Sequence, residues 1–172
     1  MIFLRIQKIN RICLKALAAA VAVVAFTNVY ATSRIGEAEV RLENGLPCFT
    51  ITNKEENRAG APQLRGLKVY DASVKPSIEV WFFTLPIDAR QTISSNTCIS
   101  YGKAPLGAES TKAIQLAIGK VYEVAIKGKL NDSSDPTFWY EAKFCLIRQS
   151  NDEVQIHQII YDKGWRYEKC KL

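Results

Sequence analysis

A single histidine, His157, limits the nucleophilic chemistry open to this chain, because any Ser-His-Asp or Cys-His site would have to be built around it. Asp152 and Asp162 are close in sequence, but no Gly-x-Ser-x-Gly elbow accompanies them. His157 lies between Ile156 and Gln158 in a strand-like stretch, where a solvated or structural role is the expected one. Ser100-Tyr101-Gly102-Lys103 fits the Ser-x-x-Lys spacing of penicillin-recognising enzymes. Those enzymes set the serine at a helix start and add a Lys-Thr-Gly strand. Here the motif falls at a strand-to-loop exit, and no Lys-Thr-Gly occurs. Gly102 and Gly107 are spaced as in a phosphate loop, yet Ala108-Glu109 stands where Lys-Ser/Thr is required. Glu55-Glu56 sits beside Lys54 and Arg58, which reads as a solvated loop. Asn131-Asp132-Ser133 matches a glycosylation sequon, which carries weight only in a eukaryotic context. No catalytic set assembles from these pieces, so the chain is not expected to be an enzyme or to hold a cofactor.

The cysteines point to cross-linking. Cys48, Cys98, Cys145 and Cys170 follow the leader-embedded Cys13, and the nearest spacing among the four is 25 residues. A four-cysteine zinc site needs close pairs of the Cys-x-x-Cys kind, so no metal is expected. Four thiols in an oxidising compartment read as two disulfides, with three connectivities open. Closing loops of about 25 and 50 residues contributes roughly 3.5 and 4 kcal/mol in the chain-entropy picture.

Export is written at the start of the chain. Arg5, Lys8, Arg11 and Lys15 form a basic segment, Ala16 to Phe26 is an unbroken apolar run, and Val29-Tyr30-Ala31 supplies small residues at −3 and −1. This is the pattern of a signal peptide over residues 1–31, cleaved after Ala31. The run is too short for the ~20 apolar residues of a membrane span. The short run argues against a retained helix, and no cysteine sits just after it, so no lipid anchor is expected either. The location expected is the periplasm, or the medium if the protein is secreted further. The whole chain has 23 Lys and Arg against 17 Asp and Glu. Removing the four leader cations leaves 19 basic residues, a net of only +2, scattered among acids. Nucleic acid is therefore not an expected partner.

After a lead-in at residues 32–36, one domain is expected over residues 37–172, and its pattern has period two. Glu37 to Leu42 reads as an edge strand and Pro47 to Asn53 as a second, with Phe49 and Ile51 inward. Lys54 to Gln63 reads as an exposed loop, and Leu64 to Asp71 as a strand. Ile78 to Leu85 is apolar on both faces, which suits a central strand. Thr97 to Tyr101 and Val121 to Lys127 follow, the latter with Tyr122, Val124 and Ile126 inward. Thr137 to Arg148 sets Phe138, Tyr140, Ala142, Phe144 and Leu146 on one face. Glu153 to Tyr161 is its hairpin partner, and Trp165 to Lys169 is a closing strand. Seven to nine strands of this kind describe an all-β fold, a single antiparallel β-sandwich of broadly Ig-like architecture.

Alternation sets Cys48 with Thr50 and Thr52, and Cys145 with Glu141 and Lys143. Thiols facing away from the core favour Cys48–Cys98 and Cys145–Cys170 over a central Cys48–Cys145 bridge, with connectivity otherwise open. Trp81, flanked by Val80 and Phe82, is a core residue by default. Trp139 shares the outward face of Glu141 and Lys143, and Tyr101, Trp165 and Tyr167 fall near strand ends. These four aromatics are the candidates for a partner surface.

Pro47-Cys48-Phe49-Thr50-Ile51, Cys98-Ile99-Ser100-Tyr101-Gly102, then Leu116 with Gly119-Lys120-Val121-Tyr122 resemble a family of small bacterial periplasmic proteins. That family is described as type VI secretion immunity proteins, many of them lipoproteins. Ala142-Lys143-Phe144-Cys145 is compatible with their penultimate long strand, and the resemblance spans about residues 38 to 160. It implies an exported β-sandwich that binds and blocks a protein toxin delivered into the periplasm, and it implies that Cys48 pairs with Cys98. The lipidation cysteine of the family is missing here, which favours a protein without a stable membrane anchor. No functional residue carries over, because the shared motifs are turns, cysteines and core positions. Two other classes fit the same pattern: a secreted adhesin or pilus-like subunit, and a periplasmic hydrolase dependent on His157.

Overall fold

The computed structural model describes residues 33–159 and Cys170. The expected leader with its cleavage residue Ala31, and Trp165, Tyr167 and the expected strand Trp165 to Lys169, lie outside the described residues. Nine strands and one short helix follow in the order β1 (Arg34–Glu43), β2 (Leu46–Ile51), α1 (Asn53–Ala59), β3 (Gln63–Asp71), β4 (Ile78–Thr84), β5 (Ile99–Ser100), β6 (Glu109–Ser110), β7 (Val121–Lys129), β8 (Thr137–Arg148) and β9 (Val154–Ile159). Among the described residues no helix is long and apolar enough to cross a membrane.

The strands hydrogen-bond in the order β5-β2-β1-β8-β7-β3-β4-β6, with β9 on the far half of β8. This is one curled mixed sheet, a half-barrel, where strand count and turn spacing suggested two packed antiparallel sheets. The reason lies in β1, which serves two neighbours in turn. Its first residues, Arg34 to Glu37, run parallel to Thr137 to Glu141 of β8. From Ala38 onward it forms a hairpin with β2 instead. β9 takes the place β1 vacates, pairing antiparallel with Lys143 to Arg148. Gln158 of β9 closes the seam, its side-chain amide donating to the Ala38 carbonyl at 3.0 Å and accepting from the Val40 amide at 2.8 Å. A side chain thereby satisfies two backbone groups that would otherwise lack ladder partners.

The inner side of the curl holds the core. Trp81, Tyr140, Phe49, Phe83 and Phe144 are its largest fully buried side chains. Tyr122, Val124 and Ile126 face it as alternation requires. Phe49 meets Phe144 at 5.7 Å between ring centroids, and Trp81 meets Tyr101 edge-on at 5.3 Å.

Several local expectations are corrected. Arg34 to Gly36, expected in a lead-in, belong to β1, and β1 is an interior strand rather than an edge. β4 is not central, because beyond it lies only the two-residue β6. Its apolar outer residue Phe82 is half-buried beneath the Lys68 ammonium, 5.5 Å from the ring centroid. The segment from Lys54 is not a loop: Asn53–Ala59 is helical. The Thr52 hydroxyl caps it by accepting from the Glu55 amide at 3.3 Å, and Gly60, at φ 81°, ends it by donating to the Glu56 carbonyl.

The disulfides are Cys48–Cys98 and Cys145–Cys170, with Cα separations of 5.5 and 6.0 Å. Both half-cystines on the strands face away from the main core, yet both are buried. Residues 94–100 cover Cys48 and Thr50, whose hydroxyl donates to the Ser94 carbonyl at 2.7 Å. Cys145 packs with Ala72 and Val121 in a second, smaller cluster that Ile147, Ile159 and Cys170 extend.

Candidate functional site

Two backbone irregularities build a patch on the outer face. The β3–β7 register shifts between Leu64 and Gly66, leaving Arg65 as an extra residue. The β1–β8 register jumps from Arg34–Thr137 to Ile35–Trp139, leaving Phe138 without a partner on β1. Bulges re-aim side chains, and these two bring Arg65 and Phe138 together. Phe138, expected in the core with Tyr140, is instead half-buried, 6.1 Å from Trp139 at an interplanar angle of 78°. The Arg65 guanidinium and the Lys127 ammonium each lie 5.2 Å from the centre of its ring. Lys127 is also 5.6 Å from the Trp139 ring, opposite which it stands in the β7–β8 register. Ile35, the β1 neighbour of Trp139, is 52 % exposed.

The patch is electropositive. Among the described residues no carboxylate pairs with Arg65 or Lys127, and Lys129 stands exposed two residues further along β7. The Arg65 Nε is buried and has no hydrogen-bond partner among them. The next carboxyl on the Trp139 side of β8 is Glu141, which is half-buried. Burial and the nearby Glu123 push its pKa up, while Lys143 opposes them. Each cation over a ring contributes about 0.5–1 kcal/mol at such partly exposed positions, enough to fix the cluster's shape.

Apart from this patch, a groove of about 530 Å³ opens between the β1–β2 turn, residues 113–118 and the start of the β8–β9 turn. Leu46, Pro47, Ile114, Leu116 and Leu146 line it, with Arg148 at its rim. Tyr101 also borders it, but only 7 % of that residue is exposed. Its hydroxyl donates to the Ile114 carbonyl at 2.7 Å, and burial pushes its pKa up to about 12. Tyr101 is thus a piece of the groove's framework rather than a projecting anchor, since the turn after β5 directs its ring inward onto Phe49 and Trp81. Of the four aromatics singled out from the sequence, Trp139 reaches the outer patch and Tyr101 the groove, so the described pair do not share one surface. Trp165 and Tyr167 lie outside the described residues.

The weak catalytic motifs stay apart. The His157 imidazole is exposed on β9, in register with Cys145, and makes no hydrogen bond or ion pair among the described residues. Ser100 ends β5, and Lys103 closes a turn onto its carbonyl at 3.0 Å in place of a helix start. Gly102 and Gly107 take positive φ in an irregular loop. A carboxylate oxygen of Glu43 and the sulfurs of Cys48 and Cys98 come within 4.8 Å of one another, but the sulfurs are bonded to each other and offer no thiolate. Glu55, expected in solvent, is buried with its side chain wholly covered, because α1 turns it toward Arg34 and Arg58. Thr52-x-x-Glu55 is the capping-box spacing that announces this helix in the sequence. The bulges that place Arg65 and Phe138 have no comparable signal. No family model matches this chain, and neither does any curated protein or solved structure.

Proposed function

We propose that this chain is an exported, soluble immunity protein that binds and neutralises a protein toxin delivered into the periplasm by a type VI secretion system. Its two disulfides suit an oxidising extracellular or periplasmic compartment. The leader pattern over residues 1–31 supplies the export step, and the resemblance across residues 38 to 160 supplies the toxin-blocking role. The observation that carries the reading is a doubly cross-linked sheet whose outer face presents Trp139 and Arg65, residue types enriched among interface hot spots, around Phe138. A standard interface covers about 800 Å² on each partner. The test is growth: cells exporting the product of the gene beside this one are expected to survive only when this chain is exported with it. Unchanged killing in its presence contradicts the proposal.

A further inference from the structure

We infer that the Arg65–Lys127–Phe138–Trp139 patch docks an acidic segment of the partner protein, carboxylates meeting the two cations while apolar side chains lie along Ile35 and Trp139. This rests on the protein-binding reading and goes beyond it by assigning the face and the partner's chemistry.

Three features of the patch lead there. Its charge is unbalanced: Arg65 and Lys127 share one ring at 5.2 Å each with no carboxylate paired to either among the described residues. Elsewhere on the outer face of the sheet, Lys68 is met by Glu79 at 2.8 Å and Lys143 by Glu123 at 3.6 Å. The cations are also partly desolvated by aromatic faces, so an incoming carboxylate displaces little water from them and gains a stronger field. Finally, apolar area lies alongside, with Ile35 52 % exposed and Trp139 half-buried. A patch of mixed cationic and aromatic character selects acidic-apolar surfaces and repels basic ones. The patch is held by backbone register on four strands rather than by a loop, so it is formed before the partner arrives.

The probe is a polyglutamate of about 20 residues, titrated into isotopically labelled, disulfide-intact protein recovered from the periplasm, with polylysine and heparin as comparators. Amide and side-chain NMR signals of Arg65, Lys127, Phe138 and Trp139 are expected to shift with polyglutamate, with affinity falling as salt rises. A double charge reversal, Arg65→Glu with Lys127→Glu, is expected to weaken binding at least about tenfold, as loss of two close charge pairs implies. Arg148→Glu at the groove rim is expected to leave it unchanged, and circular dichroism and the melting midpoint establish that each variant is folded. Absence of shifts at the four residues, or heparin binding there while polyglutamate does not, overturns the inference. The two proposals fail separately. A charge-reversed protein that still protects cells as well as the wild type removes the patch and leaves the immunity reading. A wild type that binds polyglutamate at the patch but protects no cell removes the immunity reading alone.

Discussion

Arg34, the first residue of the sheet, grips both carboxylate oxygens of Glu55 in α1, with nitrogen–oxygen distances of 2.6 and 2.5 Å. Glu55 also accepts from Arg58 Nε at 3.1 Å, and Arg58 reaches on to Asp135 at 2.5 Å and to the Thr137 hydroxyl at 3.1 Å. One buried carboxylate therefore ties the helix to the start of β1 and, through Arg58, to the start of β8. These are the strand starts beside Phe138 and Trp139, so the network fixes the base on which the outer patch is built.

Replacing Glu55 by Gln is expected to destabilise the fold by about 2–4 kcal/mol. Removing one partner of a buried pair costs ~3–5 kcal/mol, and the partial exposure of both arginines lowers that figure here. Chemical denaturation of the two proteins measures the difference. A change within about 0.5 kcal/mol contradicts the assigned role.

Acid is expected to weaken the same network. Hydrogen bonding from Arg58 lowers the Asp135 carboxyl to about 2. Burial alone would raise Glu55, but Arg34 and Arg58 more than reverse that and lower it. A carboxylate with a depressed folded-state pKa contributes stability above its unfolded value of ~4, and that contribution is lost as pH falls through the folded value. Urea midpoints measured from pH 5 down to pH 2 are expected to fall throughout that window. The fall is expected to be shallower in Asp135→Asn.

Alkali acts on the other side. Burial raises Tyr101 and Tyr140 to about 12 each, with Glu55 adding to the effect at Tyr140. Groups whose folded-state pKa is raised keep their stabilising contribution below the unfolded value of ~10 and lose it as pH climbs toward 12. Ultraviolet titration of tyrosinate is expected to show a late fraction that shrinks in the double variant Tyr101→Phe, Tyr140→Phe, with the buried Tyr122, also raised, remaining in it.

Gly36→Ala is expected to destabilise by about 1–3 kcal/mol, the usual scale for overpacking. An added Cβ would sit 2.5 Å from Tyr140 Cδ1 and 3.3 Å from Glu55 Oε2, so the ring beneath the ion network has to move. A lowered melting midpoint with an altered near-ultraviolet Tyr signal checks this.

The legible parts of the fold were those written in period two. Tyr122, Val124 and Ile126 alternate cleanly because β7 lies mid-sheet with one face on the core. The polar company that Cys48 and Cys145 keep on their strands favoured the observed pairs over a central Cys48–Cys145 bridge, and the family resemblance implied Cys48–Cys98. The β8–β9 hairpin was legible from its turn residues, but the switch of β1 from β8 to β2 was not, since its contacts with β8 join residues more than 90 apart in sequence. α1 was hidden by its polarity: a seven-residue helix that buries one glutamate leaves no apolar stripe, only its cap. The patch was half visible. Outward alternation marked Trp139, whereas Phe138 and Arg65 owe their positions to bulges, which shift register by a residue without changing composition.

The most direct measurement is calorimetric titration of the product of the neighbouring gene, the proposed toxin, into the wild-type protein and into the Arg65→Glu, Lys127→Glu variant. The account predicts saturable one-to-one binding to the wild type, weakened at least about tenfold in the folded variant. No heat of binding to the wild type, or equal affinity for both proteins, would contradict it.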